Sequence, residues 1–415
     1  MMKLRFPNWR AALAVTTFGA AALLAACGGG GGDAGTSPLG TATDVTYAQG
    51  AIAGLGSIIV NGVRFDDSGA TVEDEDGNRL DDPRQLKMGM MVQVDAGAVT
   101  PGTTTTPGTA VARRVRFGNE IVGPIGIVDV AAKTVVVLGQ TVLINESTWF
   151  DDSSLSGGLT ALAALPAGSA IEVHGILNQT TLQITATRIE AKPNATSYRL
   201  RGVVSDLKPD KTFKIGSELI SYATLAAADL PSNLKDGVVV RTQLALAKDA
   251  TNGAWVATKL RSGVRAAEGR REAEVEGTIT AFTSPTSFEI NGLEVVASGA
   301  ATVFFPADKS GIVLGARVEV EGSIVDSKLI ATKVKVEDEH RSGRVEREFH
   351  GLVGTLDPVA KTFVVRGVTV SYANATFRGG VAADLAKIPA PRVEVKGTLN
   401  ATGTGIDAIR ISFEN

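Results

Sequence analysis

One cysteine, three histidines, four tyrosines and three tryptophans are all that 415 residues supply of the side chains most used in site chemistry. With a single cysteine no intramolecular disulfide can form, so the folds must hold by core packing alone. There is no C-x-x-C pair, no H-E-x-x-H helix, no G-x-S-x-G elbow and no phosphate-cradling P-loop. Aromatic residues make up only 5% of the chain. Of the tryptophans, Trp9 lies in the N-terminal leader, while Trp149 and Trp255 fall in different parts of the chain and read as local packing or rim residues. Acidic residues number 44 against 41 basic, so there is neither a basic groove nor a stacking platform for nucleic acid. No nucleophile, base and acid stand together. An enzyme is therefore not expected, and neither is a cofactor.

Long apolar runs are scarce too. Residues 11–26 (AALAVTTFGAAALLAA) follow Lys3, Arg5 and Arg10 and are uncharged. The run is short for a membrane span and reads as a signal peptide over 1–26. It ends in Leu24-Ala25-Ala26-Cys27, which resembles the bacterial lipobox. The resemblance implies cleavage before Cys27, a diacylglycerol on its thiol and an acyl chain on its new amine. Several acyl chains anchor stably where one binds only marginally. Gly28, where an inner-membrane retention signal would have aspartate, favours the outer membrane, facing either the periplasm or the cell surface. Residues 27–46 (CGGGGGDAGTSPLGTATDVT) form a flexible tether with a reach of about 25 Å.

What the chain has in plenty is glycine, 47 residues, and repetition. "GPIGIVDVAAKTVVVLG" from Gly123 and "GLVGTLDPVAKTFVVRG" from Gly351 align without a gap. Similar starts at Gly202 and Gly277, and a weaker one at Gly50, divide the chain into five copies. Each copy reads as two strands, a tight Gly turn, a third strand and an Ala/Leu/Asp-rich connector with a helical turn or two. The phrase L-x-x-G-x-x-V-x-V-x-G and a last strand Ala-Thr-x-Val/Ile follow. In "LGARVEVEGSI" (Leu314 to Ile324), Gly315 suits a turn, as do Gly168 and Gly237. Val318 and Val320 point to a core, and Arg317, Glu319 and Glu321 to solvent. Gly322 permits a bulge or sharp bend. Five strands in some 70 residues describe an all-β chain of small OB-like barrels in series. The units span 47–118, 119–194, 195–264, 271–338 and 345–415. The charged joints "VRAAEGRREAEVEG" (from Val264) and "EDEHRSGRVEREFHG" (from Glu337) favour beads on a string over packed neighbours.

This pattern of G-x-I, F-x-I-x-G, the valine phrase and A-T-x-I resembles DUF5666, a bacterial domain family of unknown function. The resemblance covers nearly all of the mature chain and is most specific in the third to fifth units. The first unit departs by an insertion, "VTPGTTTTPGTA" (Val99 to Ala110), before its last strand. The resemblance implies tandem β-domains in an exported lipoprotein and carries over no catalytic residues.

Few polar residues are candidates for a site. His174 occupies the slot held by Glu321 and Lys396 in other copies, which reads as a solvated strand face. His340 and His350 lie in a charged joint beside Glu337, Asp338 and Glu339. In "VEDEDGNRLDD" (Val72 to Asp82), Asp74, Asp76, Asn78, Asp81 and Asp82 are the weak candidates for calcium. The favoured reading there is a hairpin with Asp76-Gly77 at its tip. Sequons at Asn145, Asn178, Asn194, Asn374 and Asn400 read as turn asparagines. The expected role is non-catalytic: an adaptor or spacer meeting envelope protein or glycan. The alternative is a module that binds a small ligand, a divalent metal or a glycan.

Overall fold

The computed structural model describes residues 46–80, 85–100, 102, 107–178, 181–263, 270–290, 293–326, 328–336 and 346–414. The signal peptide, Cys27, nearly all of the tether, Asp81, Asp82, His340, residues 264–269 of the first charged joint and 337–345 of the second lie outside them.

Alternating apolar side chains make each copy a strip with one face to bury, and each strip closes on itself. In the second unit, strand one (Ile121–Asp129) pairs antiparallel with strand two (Thr134–Val137), and that with strand three (Gln140–Leu143). Strand three runs parallel to strand five (Ile184–Ala191). Strand five pairs antiparallel with strand four (Ala170–Leu177), which returns to strand one and shuts the barrel. The ring order 1-2-3-5-4-1 recurs in the third unit (Tyr198–Ser205 to Trp255–Ser262). It recurs again in the fourth (Arg270–Ser284 to Lys328–Val336) and the fifth (Glu346–Leu352 to Gly405–Glu414). The first unit (Thr46–Ala51 to Gly108–Gly118) closes the same way despite its insertion. Small helical turns stand between strands three and four, such as Leu159–Ala163, Ala227–Asp229 and Ala382–Ala386. An OB-like barrel places its connector helix there.

Two local devices set this shape. In three units the turn between strands two and three carries positive φ at both central residues: Asn61-Gly62, Leu138-Gly139 and Arg366-Gly367. That is the type I′ geometry of a two-residue hairpin, whose twist matches its strands. The second device is a bulge where strand four pairs with strand five, with the extra residue on strand five. The register slips after Asp95, His174, Gln243, Glu321 and Lys396, the same slot in all five units. In three units a glycine follows the slip because the neighbouring backbone is on top of it. A Cβ on Gly175 would lie 2.4 Å from Thr185 O, on Gly322 2.1 Å from Ile330 O, and on Gly397 2.4 Å from Asp407 O. Val318 and Val320 are both 0% exposed, as their alternation requires.

The units do not hang as separate beads. Strand one of the first unit runs parallel to that of the fourth, Thr46 to Gln49 beside Glu272 to Val275. Gly54 and Leu55 run parallel to Glu348 and Phe349 of the fifth. Ile121 and Val122 of the second pair with Leu200 and Arg199 of the third. A single apolar cluster runs through the first and fifth units and takes in Trp149 from the second. Trp149 therefore packs between units rather than locally. It is 2% exposed and meets Phe349 edge-on, with centroids 6.3 Å apart. Trp255 does pack locally, against Tyr198, with its Nε1 donating to Glu218.

This packing makes residues 43–415 one compact unit, and calorimetry checks it. The wild-type chain is expected to melt in one main transition. Trp149→Ala, which removes a buried aromatic worth roughly 3–5 kcal/mol, is expected to lower that transition and split it. Independent beads would instead melt in several steps, and the substitution would shift only one.

Candidate functional site

Strand alternation sends Ile171, Val173 and Ile189 into the second barrel and Glu172, His174, Arg188 and Glu190 out of it. In register, Glu172 faces Glu190 and His174 faces Arg188. The same outward ladder in the fourth unit carries Glu319 and Glu321 against Lys333 and Lys335, and Glu321 is 42% exposed there. In the second unit the ladder is covered. Glu172, His174, Arg188 and Glu190 are 7%, 0%, 4% and 4% exposed. His174 is thus no solvated-face residue. The slot is a surface slot within one barrel, and the docked first unit turns it into interior.

The cover comes from the turn at Lys87–Gly89 and the end of the last strand (Gly108–Gly118) of the first unit. Gly118 O lies 2.8 Å from His174 Nδ1. Met88 O accepts from Arg188 Nη1 at 3.2 Å, and Gly89 O accepts from Thr187 Oγ1 at 2.6 Å. Gly89 has φ +78, and any Cβ there would stand 2.4 Å from Thr187 O. Both facts require glycine. Lys87 Nζ bridges Glu190 Oε2 at 2.9 Å and Asp151 Oδ1 at 3.2 Å.

Inside the seam the charges are matched. Asn119 Nδ2 donates to Glu172 Oε1 at 2.6 Å. Lys192 Nζ sits 2.6 Å from Glu172 Oε2 and 3.3 Å from Glu190 Oε1. Arg188 Nη2 meets Asp151 Oδ1 at 2.6 Å. Burial works against ionisation of Glu172, yet His174, Lys192 and Asn119 hold its carboxyl well below the usual range. Burial also pushes His174 below its ordinary value, against the pull of Glu172 and Glu190. A carbonyl oxygen only accepts, so Nδ1 carries a proton and donates it to Gly118 O. In the neutral form, which burial favours, the lone pair then stands on Nε2. Nε2 is 3.5 Å from Glu172 Oε1 and has no hydrogen-bond partner.

A second cluster lies in the fifth unit. His350 belongs to strand one there, not to a joint. Its Nε2 is 2.8 Å from Glu348 Oε1 and its Nδ1 contacts Glu414. Lys396 reaches Glu348 Oε2 at 3.0 Å, and Arg64 crosses from the first unit to the same carboxylate. Burial opposes the charge on Glu348, but His350, Lys396 and Arg64 lower its pKa to about 2. Both histidine nitrogens are engaged here.

The acidic stretch is the expected hairpin, with Gly77 at φ +81 and a bridge between Glu73 and Arg79. Asp74 folds it by accepting from the backbone of Asp76 and Asn78 and from Asn78 Nδ2, each at 2.9 Å. Its tip plugs into the third unit: Glu75 Oε1 accepts from Arg201 Nη2 at 2.6 Å, and Asp76 Oδ1 from Arg241 Nη2 at 2.9 Å. Asp74 is thus committed to the turn and Asp76 to an arginine, while Asp81 and Asp82 lie outside the described residues. Asn145, Asn178 and Asn400 each accept a nearby backbone N–H, as turn asparagines do.

The sequence reading noticed His174 but not Glu172, Arg188 or Glu190. The available signal was that one copy alone combines E-x-H on strand four with R-x-E on strand five.

The geometry defines the class: a chain of closed five-stranded barrels fused through their outer faces. A family model described as a domain of unknown function, DUF5666, matches residues 49–115, 123–190, 276–335 and 350–412, together more than half of the chain. The chain belongs to the DUF5666 family. The match skips the third unit, where the sequence pattern was read as specific, and includes the first, where it was read as loose. The third unit nevertheless has the same ring order. No curated protein matches the chain.

Acid should loosen the molecule in a defined window. Glu348 drops from 4.5 to about 2 on folding, so its contribution is full above pH 4.5 and is lost as pH falls from there toward 2. Glu172 acts in the same direction. Denaturant midpoints measured across that range should fall, and Glu348→Gln should flatten the lower part of the curve. A profile unchanged by that substitution would contradict the assignment.

Proposed function

We propose that this chain is an envelope lipoprotein, anchored through Cys27, whose five barrels form one rigid, non-catalytic scaffold. The observation that carries this reading is how the barrels spend their surfaces. Their interiors are filled by residues such as Phe213, Ile171 and Val320, each 0% exposed. A partner must therefore be met on outer faces and loops. Several apolar side chains stand out there, including Val359 at 93%, Ile388 at 98% and Val381 at 60% exposure, all in the fifth unit. A repeated solid domain on a flexible lipid tether suits an adaptor or spacer that meets envelope protein or glycan, facing the periplasm or the cell surface. The outer membrane is the location this reading gives it.

Two measurements test it. In a bacterial host the wild-type chain should incorporate labelled palmitate and pellet with outer membranes, and Cys27→Ala should do neither. A Cys27→Ala protein that still takes up label and pellets with outer membranes would sink the anchor. Crosslinking in intact envelopes should trap a protein or peptidoglycan partner through the fifth unit, with Ile388→Asp reducing the yield several-fold. Equal yields would remove the scaffold's proposed contact face.

A further inference from the structure

Of the two carboxylate-histidine clusters, only one holds an unsatisfied donor atom. In the fifth unit both nitrogens of His350 lie on carboxylates. In the second unit, His174 is wholly buried and its Nε2 has no hydrogen-bond partner. A bare imidazole lone pair beside a carboxylate oxygen is unfavourable, because two acceptors face each other across low dielectric. A cation between them removes the conflict.

The spacing fits one. Two ligands bound at about 2.1 Å to a tetrahedral ion lie about 3.4 Å apart, and His174 Nε2 is 3.5 Å from Glu172 Oε1. A Glu190 oxygen completes a set whose atoms all lie within 4.8 Å of one another. The opposite ring nitrogen is held by Gly118 O at 2.8 Å. That second contact is the one a metal-ligating histidine usually makes, and it fixes the tautomer with the lone pair inward.

We propose that Glu172, His174 and Glu190 bind one divalent transition-metal ion of the zinc class, at the seam between the first and second units. One imidazole and two carboxylates suit zinc or manganese better than calcium or copper. Lys87 and Arg188 hold Glu190 Oε2, and Lys192 is the cation that competes for both glutamates. Its ammonium bridges the two glutamates, yet its side chain is 39% exposed and can swing out to solvent. The ion then takes over the charge that Lys192 balances. Because Gly118 belongs to the first unit, the ion also pins that unit to the second. This inference stands apart from the scaffold reading, since the site's ligands and its cover are present whatever the exposed faces bind.

The test uses the full chain, purified in mild detergent without a histidine tag and stripped with chelator. Titration with Zn²⁺ by calorimetry should show one ion per chain, and Co²⁺ should give the intense visible bands of a tetrahedral site. Saturating Zn²⁺ should raise the melting temperature. His174→Gln should weaken binding at least tenfold and abolish the cobalt bands, while His350→Gln leaves both unchanged. Lys192→Ala, at the rim, should tighten binding several-fold by removing the competing cation, which keeps the test decisive if His174→Gln fails to fold. Binding that is absent, that survives His174→Gln, that follows His350 instead, or that Lys192→Ala leaves untouched would overturn the proposal.

Discussion

Burying a ladder of charges costs several kcal/mol per ion unless each one finds a partner within reach. The second unit buries Glu172, Arg188 and Glu190, and the first unit brings Lys87 to Glu190, the Met88 carbonyl to Arg188, and the carbonyls of Gly89 and Gly118 to the adjoining Thr187 and His174. The first unit plays this part with every other copy. It gives the third unit Glu75 and Asp76, the fourth a strand edge, and the fifth a strand edge and Arg64. Removing one partner from such a seam leaves an uncompensated buried charge, so the seams hold the assembly in one arrangement as much as they stabilise it.

Repetition and packing make opposite demands on a sequence. Each copy keeps what closes its barrel: a two-residue turn between strands two and three, the apolar alternation of strand four and the bulge where strand five meets it. The causes of these features are steric and local. The outward ladder is free of that constraint, and it diverges. In the fourth unit it is an exposed series of Glu–Lys pairs of the kind that contribute little. In the second it is a sealed polar seam with a wholly buried histidine in it. One slot therefore holds glutamate, lysine or histidine for different reasons, and interchangeability in the pattern did not mean a shared environment.

This is why the candidate site was half legible. His174 was visible as a rare residue type in a repeated slot, but its burial came from Gly118 and Met88, which are remote in sequence. Trp149 misled in the same way. It lies in the connector of one barrel and fills a gap beside Phe349 of another. The acidic hairpin was read correctly as a turn, since Asp74 and Gly77 act within a few residues. What its tip was for could not be read, because Arg201 lies 126 residues away from Glu75.

The sequence by itself determined the unit: five copies, five strands each, three of the copies with a glycine at the bend of strand four. These follow from period-two alternation and turn chemistry, which act over a few residues and leave a local pattern. Only the tertiary structure decided how the units meet, and with it which charges are buried and which histidine keeps a lone pair inward. Those contacts join side chains as far apart as Arg64 and Glu348, 284 residues distant. Docking of finished barrels through their outer faces imposes no periodicity, so no repeat in the sequence announces it.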